Sequence, residues 1–178
     1  MRLKSSKVRL FVTAIFGVLL LITDQAVKLW AANSLKPKNS IRFIRFGDFR
    51  IIDLTYLENR GAMFGFMEGK SWFLIGVTST VMITLTVMAV RVYRKSEYLA
   101  FNLFLFVFGG IGNLIDRIRL GYVIDMFEIK LFQFAVFNVA DICVSFAMVM
   151  FVIYIFFIEP KANRKIKDDK EKTPENAG

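Results

Sequence analysis

The chain has 178 residues, 56% of them apolar, with 20 Phe and only 3 Pro. That balance is too apolar for an ordinary soluble domain and about the length of one unit, so the chain is expected to sit in a membrane. A net charge of +9 could suggest nucleic acid, but the basic residues are spread along the chain and partly gathered in its flanks, which suits anionic lipid headgroups better, so no nucleic-acid partner is expected. One cysteine, Cys143, excludes an internal disulfide, and the lack of histidine removes the commonest zinc ligand and the usual base for a Ser or Cys nucleophile.

Four stretches are long enough to cross about 30 Å of hydrocarbon, which takes roughly 20 helical residues. They lie at about 8–32, 71–90, 98–115 and 137–158. The first follows Arg2, Lys4, Lys7 and Arg9 and could be mistaken for a signal peptide. No small-residue cleavage site follows it, however, and Asp24, Gln25 and Lys28 fall within its helical continuation to Trp30 and Ala32.

Segment 33–70 alternates like a strand. Arg50, Ile52, Leu54 and Tyr56 are predicted on one face, with Ile51, Asp53, Thr55 and Leu57 on the other. Phe127, Ile129 and Leu131 alternate with Glu128 and Lys130 in segment 116–136. A small sheet at the outer membrane surface is therefore expected. Its apolar face, with Phe64, Phe66, Phe127 and Phe132, would rest on lipid or substrate, or else pack on the helix ends. Lys and Arg number thirteen on the side of the termini and eleven on the other, a bias that favours cytoplasmic termini. Residues 1–160 read as a single four-helix unit and 161–178 as a polar, disordered cytoplasmic tail.

The acids carry the chemistry. Asp24, Asp116 and Asp141 each lie at an end of an apolar stretch, and threading the chain through a bilayer brings those ends to one face. An ionisable residue within hydrocarbon costs roughly 2.5 to 3.5 kcal/mol on insertion scales and reads by default as functional. Gly109, Gly110 and Gly112 let helices approach closely. Asn113 precedes Asp116 and Arg117 by three and four residues, so these three share a helical face and could bond one another, a structural reading. Asp125 stands in apolar sequence with no adjacent cation, so desolvation should raise its proton affinity. Asn138 and Asp141, three apart, either face one way into a site or cap the fourth helix.

Asp125 and Asp141 are close enough in sequence for a short return to bring them together. Two neighbouring carboxyls share a proton: the ionised one activates water and the protonated one polarises a carbonyl, which suffices to hydrolyse a peptide bond without a cofactor. Membrane acids also serve as proton relays, and acids with glycines could belong to a non-enzymatic scaffold, so a transporter and a scaffold remain alternatives.

The motifs Asp24-Gln25 with Lys28, Asn59-x-Gly61-Ala62-x-Phe64, Gly112-Asn113-Leu114-Ile115-Asp116-Arg117, Gly121-Tyr122-Val123-Ile124-Asp125 and Phe137-Asn138-x-Ala140-Asp141 occur in this order from residue 24 to 141. In these the chain resembles the lipoprotein signal peptidases, four-span bacterial aspartyl proteases of the inner membrane. The resemblance implies cleavage of prolipoproteins just before a diacylglyceryl-modified cysteine near the extracytoplasmic face. It implies Asp125 and Asp141 as the catalytic pair, with Asn59, Asn113, Arg117 and Asn138 binding substrate or orienting the pair. Asp24, Lys28, Gly61 and Asp116 would support them. It further implies membrane lipids as surroundings, sensitivity to the family inhibitor globomycin, a monomer, and no cofactor or metal. Met63 and Ile142-Cys143 depart from the family pattern and bear on pocket shape.

Overall fold

The computed structural model describes residues 6–38, 40–61 and 69–160. Helices α1 (Ser6–Ser34), α2 (Ser71–Val92), α3 (Glu97–Leu120) and α4 (Val139–Ile153) are joined by strands β1 (Ser40–Phe46), β2 (Phe49–Asn59) and β3 (Val123–Ile129). A π-helical turn, Tyr154–Ile158, prolongs α4, and all four helices are long and apolar enough to span a bilayer. The expected four spans and small sheet are thus present.

Two boundaries differ from the sequence reading. The third helix runs to Leu120, beyond the apolar stretch that ends at about 115, and carries Asp116 and Arg117 on the helical face they were expected to share with Asn113. Charged residues near a helix end extend it when partners in the fold absorb their charge, as they do here. The helix stops where Gly121 adopts a left-handed conformation (φ 81°) and its N–H returns to the Arg117 carbonyl. At the other end, Ser96 Oγ accepts from Leu99 N. The fourth helix begins at Val139 rather than Phe137 because Asn138 caps it.

The sheet is antiparallel in the order β1-β2-β3. Phe46 pairs with Phe49 around Gly47-Asp48, a two-residue hairpin turn in which Gly47 supplies the positive φ of 58°. The simple alternation expected for β2 does not hold throughout. Asp53 and Leu54 are both buried although they are neighbours, and the register shifts between Leu54 and Leu57. Leu54 joins Ala31 of α1, Leu35 just beyond it, and Ile124 and Met126 of β3 in a small core, so the sheet docks on the end of α1. Asp53 faces the other way and is held by Arg50. Phe127 packs on Phe137 (ring centroids 5.6 Å apart), which is the helix-end packing alternative, whereas Phe132 is exposed. Phe64, Phe66, Met63 and the tail 161–178 lie outside the described residues.

Close helix approach is real at all three glycines, Gly110 lying against Met82 of α2 where a Cβ would clash with the sulfur. A Cβ on Gly109 would stand 2.8 Å from the Ala140 carbonyl oxygen, and one on Gly112 would stand 2.7 Å from Asp24 Oδ2. These positions seat α3 against the start of α4 and the polar end of α1.

Candidate active site

Three local devices bring the polar residues together. The first is the pairing of β2 with β3, in which Leu57 lies opposite Asp125 and Asn59 opposite Val123. Asn59 is therefore the diagonal neighbour of Asp125 on one sheet face, within reach of a short amide. The second is the return of the chain at Phe137, whose carbonyl accepts from Met126 N (3.0 Å) and Phe127 N (2.8 Å). That closure sets Asn138 beside Asp125. The third is the capping box at the start of α4: Asn138 Oδ1 accepts from Asp141 N (3.0 Å), and Asn138 N donates to Asp141 Oδ2 (3.1 Å).

Capping and site formation, posed as alternatives by the sequence, are one arrangement. With its oxygen spent on the cap, Asn138 directs Nδ2 to Asp125 Oδ1 (2.6 Å) and Asn113 Oδ1 (3.0 Å). Asp125 also accepts from Asn59 Nδ2 (2.9 Å), and Asp141 accepts from Asn113 Nδ2 (2.7 Å). Each carboxyl thus has a neutral amide donor on each of its two oxygens. Burial pushes the Asp125 carboxyl up to about 6, reinforced by the nearby charge of Asp141; the amides of Asn59 and Asn138 and the charge of Lys28 oppose the rise.

Both carboxyls open on one cavity of about 540 Å³, whose polar end is formed by Asn59, Asn113, Arg117, Asp125 and Asp141. Its remaining wall is apolar apart from Ser145. Ile142, Phe146 and Val149 run along α4 away from Asp141, and Phe134 to Phe137 also line it. At 1.5 Å per residue the stretch from Asp141 to Val149 measures about 12 Å along the helix. Arg117 donates from NH2 to the Gly61 carbonyl (3.1 Å), and Gly61 N donates to Asn59 Oδ1 (3.1 Å), so the chain leading out of β2 is fastened to the cavity rim.

Asp24 and Asp116 do not reach the cavity lining. Lys28 Nζ lies 3.0 Å from Asp24 Oδ2 and 3.0 Å from Asp116 Oδ2, and all three side chains are buried. Asp24 Oδ1 accepts from Ala140 N (2.9 Å), and Asp116 Oδ2 accepts from Ile124 N (3.2 Å). The expectation that three acids on one face form a reaction centre is corrected: of Asp24, Asp116 and Asp141, only the last lines the cavity. Asn113, Asp116 and Arg117, predicted to bond one another, instead each take a partner from another element. Gln25, present in the motif but given no role by it, has Nε2 3.2 Å from each of Asp24 Oδ2, the Gly112 carbonyl oxygen and Asp116 Oδ1, three acceptors for its two N–H groups. Its only sequence signal was a polar amide beside a membrane acid. Among the described residues no cluster of three His, Cys, Asp or Glu could hold a metal ion.

The matches with known proteins run over the same residues. A family model described as signal peptidase (SPase) II matches residues 16–157. A lipoprotein signal peptidase of Clostridium acetobutylicum is 36% identical over 149 residues, covering 82% of this chain and 94% of that protein. One of Streptococcus agalactiae is 33% identical over 155 residues, covering 87% and 98%. A solved bacterial membrane enzyme with 24% identity superposes with a TM-score of 0.70 over 94% of both chains and shares the fold. A second superposes equally well, with 25% identity over 83% of this chain and 94% of that one. The matched span takes in α1 from Phe16 onward, the whole sheet, every residue around the cavity and all of α4, and the chain therefore belongs to the signal peptidase II family of membrane proteases.

Proposed function

We propose that this chain is an aspartic endopeptidase that removes signal peptides from diacylglyceryl-modified prolipoproteins, cutting just before the lipidated cysteine, with Asp125 and Asp141 as the catalytic pair. The observation that carries this reading is one cavity with two amide-held carboxyls at one end and an apolar lane along α4 at the other. Substrate of that class has the matching halves, a peptide bond beside long acyl chains.

The pair shares one proton at working pH, since two neighbouring carboxylates do not both ionise easily. The ionised member takes a proton from water as it attacks the scissile carbonyl. The protonated member donates to the developing oxyanion and then, through the pair, a proton reaches the leaving amine. Asn59, Asn113 and Asn138 hold the carboxyls in register, and Arg117 and the Gly61 backbone orient the substrate chain. Asp24 and Asp116 support the site from behind. On this reading residues 1–160 form one peptidase unit that works as a monomer, and globomycin blocks the cavity.

The test compares a diacylglyceryl-modified precursor with its unmodified form, using detergent-purified protein. Cleavage restricted to the lipidated form and lost in both Asp125→Asn and Asp141→Asn is the expected outcome; cleavage retained in either variant overturns the pair. We also place the sheet and cavity at the extracytoplasmic face, with both termini in the cytoplasm. Asp48→Cys at the hairpin tip should then react with an impermeant maleimide added to intact spheroplasts, because the native Cys143 is buried. Labelling that requires permeabilisation would reverse the orientation.

The acids also argue against a proton path. They gather at one end of the bundle, and the polar residue buried farther along α3 is Asn102, an amide that does not titrate.

A further inference from the structure

Lys28 uses all three of its N–H donors, and only two of them go to carboxylates. The third is given to Asn113 Oδ1 at 2.9 Å, a neutral acceptor that charge balance does not require. Asn113 Oδ1 also accepts from Asn138 Nδ2, while Asn113 Nδ2 donates to Asp141 Oδ1. An ammonium cannot accept. Turning the Asn113 amide over would set its NH2 against Lys28 and its oxygen against the Asp141 carboxylate, two repulsions in place of two attractions. Lys28 and Asn138 Nδ2, both donors to Asn113 Oδ1, together fix which end of Asn113 meets Asp141.

The geometry points to Lys28 as a positioning residue for peptide hydrolysis, acting on the Asp125–Asp141 pair through Asn113 from behind the cavity. It is 2% exposed and does not line the cavity, so it acts without touching substrate. Asn138 Nδ2 bridges Asn113 Oδ1 to Asp125 Oδ1, so one cation reaches both carboxyls through two amides. Its charge also favours ionisation of Asp125. The charged groups around this relay are Asp24 on α1, Asp116 and Arg117 on α3, Asp125 on β3 and Asp141 on α4. The inference rests on the aspartic reading above.

Lys28→Met alone strands two buried carboxylates and is a poor test. Asp24→Asn/Lys28→Met is better, because losing one anion with the cation leaves the net charge of Lys28, Asp24 and Asp116 as it is in the native chain. It is compared with Asp24→Asn. The expected result is kcat lower by roughly 100-fold, as for a mispositioned catalytic group, with KM within about twofold and the alkaline limb of the kcat/KM profile moved to higher pH. A purely structural Lys28 predicts the same kcat and profile as Asp24→Asn at matched thermal stability, and that outcome overturns the inference. Asp116→Asn/Lys28→Met against Asp116→Asn makes the same comparison if the first pair does not fold. Failure of the aspartic reading is distinguishable, since Asp125→Asn or Asp141→Asn would then keep cleaving.

Discussion

Two pairs of acids lie side by side in this protein, Asp24, Asp116 and Asp125 buried and Asp141 half-buried, and they are built on opposite principles. Asp24 and Asp116 have a cation between them, each is also bonded to a backbone N–H, and Gln25 fills the remaining space. Asp125 and Asp141 have no cation at hydrogen-bond distance among the described residues; their partners are amides, and they face a cavity. The first pair is electrostatically finished and can only stabilise. The second pair has an open side, and in it Asp125 keeps a high proton affinity, the conditions for acid–base chemistry. What distinguishes structural from reactive carboxylates here is the position of one ammonium group rather than burial.

The sharpest way to break that contrast is to neutralise one acid at a time. Asp125→Asn and Asp141→Asn should lower cleavage by at least about 10³-fold, at the scale of losing an acid–base group. Their melting temperatures in detergent should hold or rise for Asp125→Asn, because a desolvated carboxyl is removed. Lys28→Met should do the reverse to the other pair. Breaking a buried ion pair by removing one partner costs about 3–5 kcal/mol, so thermal unfolding should shift down by many degrees. Equal stability losses in both sets would erase the distinction.

A smaller effect sharpens it further. Asp125 in the folded chain binds its proton up to about 6, against 3.8 when unperturbed. Between those values the folded state holds more protons than the unfolded one, so this group's contribution to stability falls as pH rises through that window. Asp125→Asn should flatten that slope. The kcat/KM profile should decline on the alkaline side as the pair loses its shared proton, beginning near about 6 in the free enzyme. Asn59→Leu removes a donor that favours the ionised carboxyl, so the same limb should move to higher pH. A limb that moves lower would place the proton elsewhere.

The site was more legible in the sequence than the roles within it. Asn138 and Asp141 could be read because a cap is local: three residues of spacing define both ends of the hydrogen bonds. Asp125 could be read because its neighbours are apolar and desolvation follows from them. The strand alternation foretold a sheet but not the burial of Asp53 beside Leu54, since the docking of β2 on α1 and the salt link to Arg50 depend on register. The helical face shared by Asn113, Asp116 and Arg117 was correctly drawn and wrongly interpreted. Periodicity shows which side chains point together, but their partners come from α1, α4 and the end of β2.

From the sequence alone come the membrane class, the four spans, the sheet and the set of polar residues that meet at one end. These follow from apolar run length, period and the cost of charge in hydrocarbon, all properties of neighbouring residues. Only the tertiary structure decided that Lys28 goes to Asp116, that Asn113 turns its amide toward Asp141, and that Asn59 reaches Asp125. Each of those is a contact between elements far apart in the chain, where a shift of one residue in register or one helical turn would hand the partner to a different acid.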